Sequence, residues 1–148
     1  MTTLRTLATL VFVLLSPFAL AGESTPVGLW KSVDDETGKA KALIRIAEAG
    51  GELRGTIERL FNEKNENPNP VCAECSGPQK GQPIVGLTII SGMKKDGEKY
   101  AGGQILDPGN GKTYRSTMEI TDSGKKLKVR GYIGVPMLGR TQIWIREE

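Results

Sequence analysis

Residues 126–146 read KLKVRGYIGVPMLGRTQIWIR, two short alternating runs around a turn. In the first run Leu127, Val129, Gly131 and Ile133 alternate with Lys126, Lys128, Arg130 and Tyr132. In the second, Thr141, Ile143 and Ile145 alternate with Arg140, Gln142, Trp144 and Arg146. A period of two belongs to a strand, whose successive side chains point to opposite faces. Between the runs, Pro136-Met137-Leu138-Gly139 fixes one φ with proline and tolerates an unusual one with glycine. The pair predicts a β-hairpin with one apolar face and one polar or amphipathic face, as in an antiparallel sheet wet on one side.

Outward from this hairpin the pattern repeats. Gly28–Val33, Lys41–Ala47, Glu52–Leu60, Ile84–Met93, Tyr100–Leu106 and Thr113–Thr121 are β-prone runs. They are separated by turn clusters such as Asp35-Glu36-Thr37-Gly38, Ala49-Gly50-Gly51, Asp96-Gly97 and Asp107-Pro108-Gly109-Asn110-Gly111. With Lys126–Ile133 and Arg140–Arg146 they predict an all-β domain, an antiparallel up-and-down β-barrel of about eight strands, whose closure removes exposed edges. A two-sheet sandwich is the alternative that the pattern leaves open. No segment holds a helical period over three turns.

Residues 61–83 break the rhythm, with Asn62, Asn65, Asn67, Pro68, Asn69 and Pro70 ahead of Cys72-Ala73-Glu74-Cys75. A long irregular stretch in a compact domain is usually functional or mobile. Three roles fit it: a lid across a barrel mouth, a site for an envelope protein partner, or a surface loop pinned by its cysteines.

The start of the chain carries an address. Arg5 precedes the apolar run Leu7–Leu15, then come Ser16-Pro17 and Ala19-Leu20-Ala21. A charged n-region, a short h-region and an A-x-A site predict a secretory signal over 1–21, removed after Ala21, and a single domain over 22–148. A spanning helix needs about 20 apolar residues, and Pro17 cuts this run short, so the chain is not expected to span a membrane. The expected compartment is the periplasm, with secretion beyond the outer membrane left open.

Composition excludes several chemistries. The 148 residues include no histidine and two cysteines, with 20 Lys+Arg against 17 Asp+Glu. Without histidine, Ser-His-Asp and Cys-His pairs and His-ligated metals are out; two cysteines alone cannot fill a tetrahedral zinc site. Positive and negative residues are interspersed without a basic stripe, so nucleic acid is not an expected partner. Asp34-Asp35-Glu36 lacks the alternate spacing of a calcium loop, and Asn110-Gly111-Lys112-Thr113 lacks the upstream glycine and the helix of a phosphate cradle. No metal, no cofactor and no catalysis are expected. In an exported chain Cys72 and Cys75 predict a disulfide, since a redox-active pair normally sits at a helix N-terminus.

The candidate ligand-binding residues are Tyr114, Arg130, Tyr132, Arg140 and Gln142. The last four alternate on two consecutive strands opposite the aliphatic positions. Facing a lumen, this set would offer cationic and phenolic donors to the carboxylate or head group of a small apolar or amphipathic ligand. Facing solvent, it would be a wet outer surface.

Gly28-Leu29-Trp30 resembles the G-x-W signature of lipocalins. That resemblance implies a tryptophan closing one barrel end under an arginine of the last strand. Arg140 and Arg146 flank Trp144 and either could take that place; Arg146 is grouped with Gly28 and Trp30 as structural. A longer set, in order, covers nearly the whole exported part: Gly28-x-Trp30, Asp34-Asp35-x-Thr37-Gly38-Lys39, Cys72-x-x-Cys75, Ile105-Leu106-Asp107-Pro108, Asn110-Gly111-Lys112-x-Tyr114, Arg130-Gly131-Tyr132 and Gly139-Arg140-Thr141-Gln142-x-Trp144. It resembles the bacterial family catalogued as domain of unknown function 2147. The resemblance implies an exported, lipocalin-like barrel and brings no activity with it.

Overall fold

A computed structural model describes residues 25–62 and 66–148; the expected signal segment 1–21 lies outside the described residues. Eight strands form a closed barrel in chain order, each antiparallel to the next: β1 (Gly28–Val33), β2 (Ala40–Ala49), β3 (Glu52–Leu60), β4 (Thr88–Asp96), β5 (Lys99–Asp107), β6 (Lys112–Thr121), β7 (Lys126–Tyr132) and β8 (Arg140–Arg146). The barrel, not the sandwich, is the architecture. Helical geometry among the described residues is confined to short 3₁₀ turns at Gly77–Gln79, Asp122–Gly124 and Pro136–Leu138.

The alternation read from sequence sets the inner face on most strands. Ala42, Ile44 and Ile46 of β2, Leu53 and Ile57 of β3, Ile90 and Met93 of β4, Met118 of β6, and Leu127 and Val129 of β7 are buried in one core. β8 is turned the other way. Its pairing sets Trp144 opposite Leu127 and Gln142 opposite Val129, so the polar-aromatic face points inward. Ile143 and Ile145 are exposed on the outside. The sequence left open which face of this strand lines the barrel, and the structure decides it: a large aromatic and an amide line the interior, and β-branched residues suit an outer strand surface as well as an inner one.

Strand 84–93 of the sequence reading is also shifted. Residues 84–87 form a turn, with the Leu87 amide bonded to the Ile84 carbonyl at 3.1 Å and the Ile84 amide to the Pro70 carbonyl at 3.0 Å. Strand β4 begins only at Thr88. Between β4 and β5 the backbones approach closely. A Cβ on Gly103 would strike the Ser91 carbonyl and the Met93 sulfur, and the β5–β6 register slips between Tyr100 and Gly103. This is the bulge that a glycine pair inside a strand signals.

Topology makes the two ends of the barrel different. At one end lie the chain entering β1 and the tight turns β2–β3, β4–β5 and β6–β7; at the other lie the connections 34–39, 61–87, 108–111 and 133–139. The first end is plugged. Trp30 is fully buried, donates Nε1 to the Pro26 carbonyl at 2.7 Å, and carries the Arg146 guanidinium 4.1 Å over its ring. Arg146 also donates to the carbonyls of Gly124 at 2.6 Å, Thr25 at 2.7 Å and Val27 at 3.0 Å. Of the two arginines the sequence offered, Arg146 is the one over Trp30.

Candidate functional site

Above the plug, a cavity of about 760 Å³ opens between the four longer connections. Its apolar wall includes Ile44, Ile57, Ile89, Ile105, Val129 and Trp144. Leu60 adds the end of β3, and Phe61 and Ile84 add parts of the long connection. The cavity lies in the range of small-molecule sites, which are mostly apolar with a few placed polar groups.

Those polar groups come from β6, β8 and the turns. Trp144 Nε1 donates to Gln142 Oε1 at 3.0 Å. This orients the amide, and its NH₂ has no partner among the described residues. Asn110 Nδ2 donates to the Tyr114 hydroxyl oxygen at 3.0 Å, which leaves the phenolic proton to donate onward. Gly131 lies between them on β7, with Tyr114 and Ile105 within ordinary contact of where a Cβ would stand. Its missing side chain keeps this part of the wall thin. Tyr114, Gly131 and Gln142 all line the cavity.

Arg140 stands at the mouth, also lining the cavity. Its Nε donates to Asp35 Oδ2 at 2.9 Å and its Nη2 to Asp35 Oδ1, with Glu36 3.9 Å away. The hydrogen bonds from Arg140 hold the Asp35 carboxyl below its ordinary value of 3.8, and the same contacts raise the guanidinium. The pair ties the first residue of β8 to the β1–β2 connection across the rim. Beside it, Asp34 Oδ1 accepts from the Glu36 amide at 3.1 Å and from the Thr37 amide and hydroxyl at 2.8 and 2.9 Å. Asp107 Oδ1 likewise accepts from the Gly109 amide at 2.9 Å. Both acidic clusters are turn chemistry.

The five sequence-selected residues thus separate. Tyr114, Arg140 and Gln142 come together on the cavity, and Tyr132 borders it where β7 ends. Arg130 does not line it. Arg130 shares the face of β7 opposite Val129 and Gly131, and donates to Thr141 Oγ1 at 2.7 Å and to the Pro136 and Met137 carbonyls at 2.6 and 3.3 Å. It shapes the β7–β8 connection. The sequence reading put Arg130 and Gln142 on one face because both oppose aliphatic residues; the reversed orientation of β8 parts them. Asn110 and Phe61 were not selected. The signal for Asn110 was its place four residues before Tyr114, after the turn that folds it back over the barrel.

Cys72 and Cys75 form a disulfide, and both are buried in the same core cluster as Leu106. The Val71–Pro83 bridge closes the base of their loop, which packs on the β5–β6 turn: Gly111 has φ +70°, and a Cβ there would run into the Glu74 carbonyl. This part of 61–83 is held against the β5–β6 turn with its cysteines buried.

A family model described as "Uncharacterized protein conserved in bacteria (DUF2147)" matches residues 28–146. In fold the chain is similar to a solved structure of Helicobacter pylori protein HP1028, described as belonging to the lipocalin family. The TM-score is 0.70 at 17% identity, covering 85% of each chain. No curated protein sequence matches significantly. At that identity the structural likeness is one of fold.

Proposed function

The chain belongs to the bacterial DUF2147 family, and from that premise and the cavity of its lipocalin-like barrel we propose a non-catalytic carrier, exported to the periplasm, of a small amphipathic molecule. The observation that carries this reading is the composition of the cavity wall: aliphatic side chains and Trp144 on most sides, with the Gln142 amide, the Tyr114 hydroxyl and the Arg140–Asp35 pair gathered toward the mouth. An apolar body would lie between Ile44, Ile57 and Val129, and its polar end would accept hydrogen bonds from Gln142 and Tyr114. The Asp34, Asp35 and Asp107 carboxylates at the rim are engaged in turns or an ion pair. Export rests on the signal read in residues 1–21.

The test is a paired mass measurement on the protein purified from a bacterial periplasm. A native-state adduct that vanishes on denaturation is expected, and its mass begins to identify the ligand. Ala42→Phe, which fills the cavity from β2, should abolish the adduct without unfolding the barrel. A bare polypeptide that also fails to bind a fluorescent fatty-acid probe would overturn the reading.

A further inference from the structure

The connection between β7 and β8 leaves four large apolar side chains in solvent: Ile133 is 64% exposed, Val135 53%, Met137 87% and Leu138 80%. Isolated apolar residues on a surface are ordinary, but a cluster of them marks a binding surface. The cluster also belongs to a wider asymmetry. Among the described residues the exposed large hydrophobics are Val27, Phe61, Val71, Val85, Ile133, Val135, Met137, Leu138, Ile143 and Ile145. Seven of these ten lie in the connections at the open end of the barrel, against Val27 alone at the plugged end. The tight turns at the plugged end carry Gly, Asp, Glu, Ser and Lys.

We propose that the 133–139 tip docks on a lipid surface, with the cavity mouth facing the bilayer. Three observations favour lipid over another protein chain. First, the tip is small. Four residues fall far short of the roughly 20–30 per side in a stable protein interface, whereas interfacial anchoring needs only a few apolar side chains with polar flanks.

Second, three consecutive carbonyls of the tip already have partners. The Leu138 amide bonds the Val135 carbonyl and the Gly139 amide the Pro136 carbonyl, each at 3.2 Å, while Arg130 takes the Pro136 and Met137 carbonyls. The carbonyls of residues 135, 136 and 137 therefore enter an apolar phase with partners in place, which the hydrocarbon region requires of any backbone. Gly139 lets the tip close on this clamp, since a Cβ there would stand 2.9 Å from the Tyr132 Cβ and 3.2 Å from the Arg130 Nε.

Third, the tip continues into the cavity. Ile133 and Leu138 are exposed and also line the mouth, so apolar surface runs unbroken from the solvent tip to the interior. Arg115, opposite Tyr132 in the β6–β7 register, and Lys112 have no acidic partner among the described residues and suit anionic head groups beside the tip.

The test uses the chain from Gly22 on, which contains every strand of the closed barrel, sedimented with mixed phosphatidylethanolamine and phosphatidylglycerol vesicles. The chain should co-sediment. The uncharged double variant Met137→Ser with Leu138→Ser should partition at least about tenfold more weakly, about 1.4 kcal/mol, while keeping its melting temperature. Lys125→Glu, at the plugged end, should bind within about twofold of the parent, the range left to screened long-range charge. The proposal is overturned if the parent stays in the supernatant, if the double variant binds as well as the parent, or if Lys125→Glu loses as much as the tip variant. It is equally overturned, in favour of a second copy, if the parent sediments as a dimer without vesicles and the tip variant as a monomer. None of these outcomes depends on whether the cavity holds a ligand.

Discussion

Arg146 is the residue in which most of the plugged end converges. Its guanidinium lies on Trp30 and reaches the carbonyls of Thr25, Val27 and Gly124, which belong to segments otherwise held apart. A lysine would keep the charge but lose the planar fork and the stacked face. Arg146→Lys should lower unfolding free energy by about 2–3 kcal/mol, from several lost charge-assisted bonds and a weaker cation–π contact. Urea unfolding followed by the fluorescence of the two buried tryptophans, Trp30 and Trp144, checks this, and an unchanged midpoint would remove Arg146 from the account of the plug. Ser116 argues in the opposite direction. Its hydroxyl is buried without a hydrogen-bond partner among the described residues, on the inner face between Gly103 and Gly131. Replacing an unsatisfied buried hydroxyl by a methyl group removes a desolvation cost. Ser116→Ala should leave stability unchanged or raise it by about 1 kcal/mol, read as a higher denaturant midpoint.

At the scale of elements, the alternation in β2 and β7 was legible because the inner face there is aliphatic throughout. In β8 the same rule separated the two faces but did not say which of them lines the barrel. A strand bordering a cavity need not bury its most aliphatic side, and Trp144 supplies more contact area inward than Ile143 would. The sequence reading also could not locate the cavity's polar rim, because Asp35 and Arg140 meet only after closure brings distant connections together. The disulfide was readable from exported context, its packing partner was not. That partner is the β5–β6 turn, and Gly111 is its point of contact with the loop. Gly111→Ala combines an unfavourable φ with a collision against Glu74, and should loosen the 72–75 segment from the turn. Faster reduction of the Cys72–Cys75 bond by a mild thiol, with the barrel's circular dichroism intact, is the expected result. A reduction rate equal to the parent's would show that the contact does not hold the loop.

For the molecule as a whole, the Arg140–Asp35 pair is a link across the rim, between the last strand and the connection after the first. The Asp35 carboxyl titrates below 3.8 in the folded barrel. A depressed carboxylate stabilises the fold above its unfolded value, and that contribution disappears as pH falls through the folded one. The rim should therefore be tied at neutral and mildly acidic pH and released only in acid below the ordinary carboxylate range. Amide exchange of residues 34–39, normalised for the intrinsic pH dependence, should accelerate selectively as the pH falls below 3.8, and Arg140→Gln should abolish that step. A step that persists in the variant would assign it to Asp34 instead, whose carboxyl is lowered mainly by the Thr37 amide.

The seam between β1 and β8 is short, pairing only Trp30 with Arg146 and Lys31 with Ile145, yet it joins parts of the chain 114 to 116 positions apart. Every other neighbouring pair except β3 and β4, which the long 61–87 connection separates, can zip locally as soon as its hairpin exists. This last pairing waits for the whole chain and carries the largest loop-closure entropy. A polypeptide that stops before Arg140 would thus be no slightly smaller vessel. It would be an open ribbon with β1 and β7 as bare edges, ready to pair with the next such ribbon, so the final seven-residue strand decides whether this sequence ends as a closed container or as an aggregate.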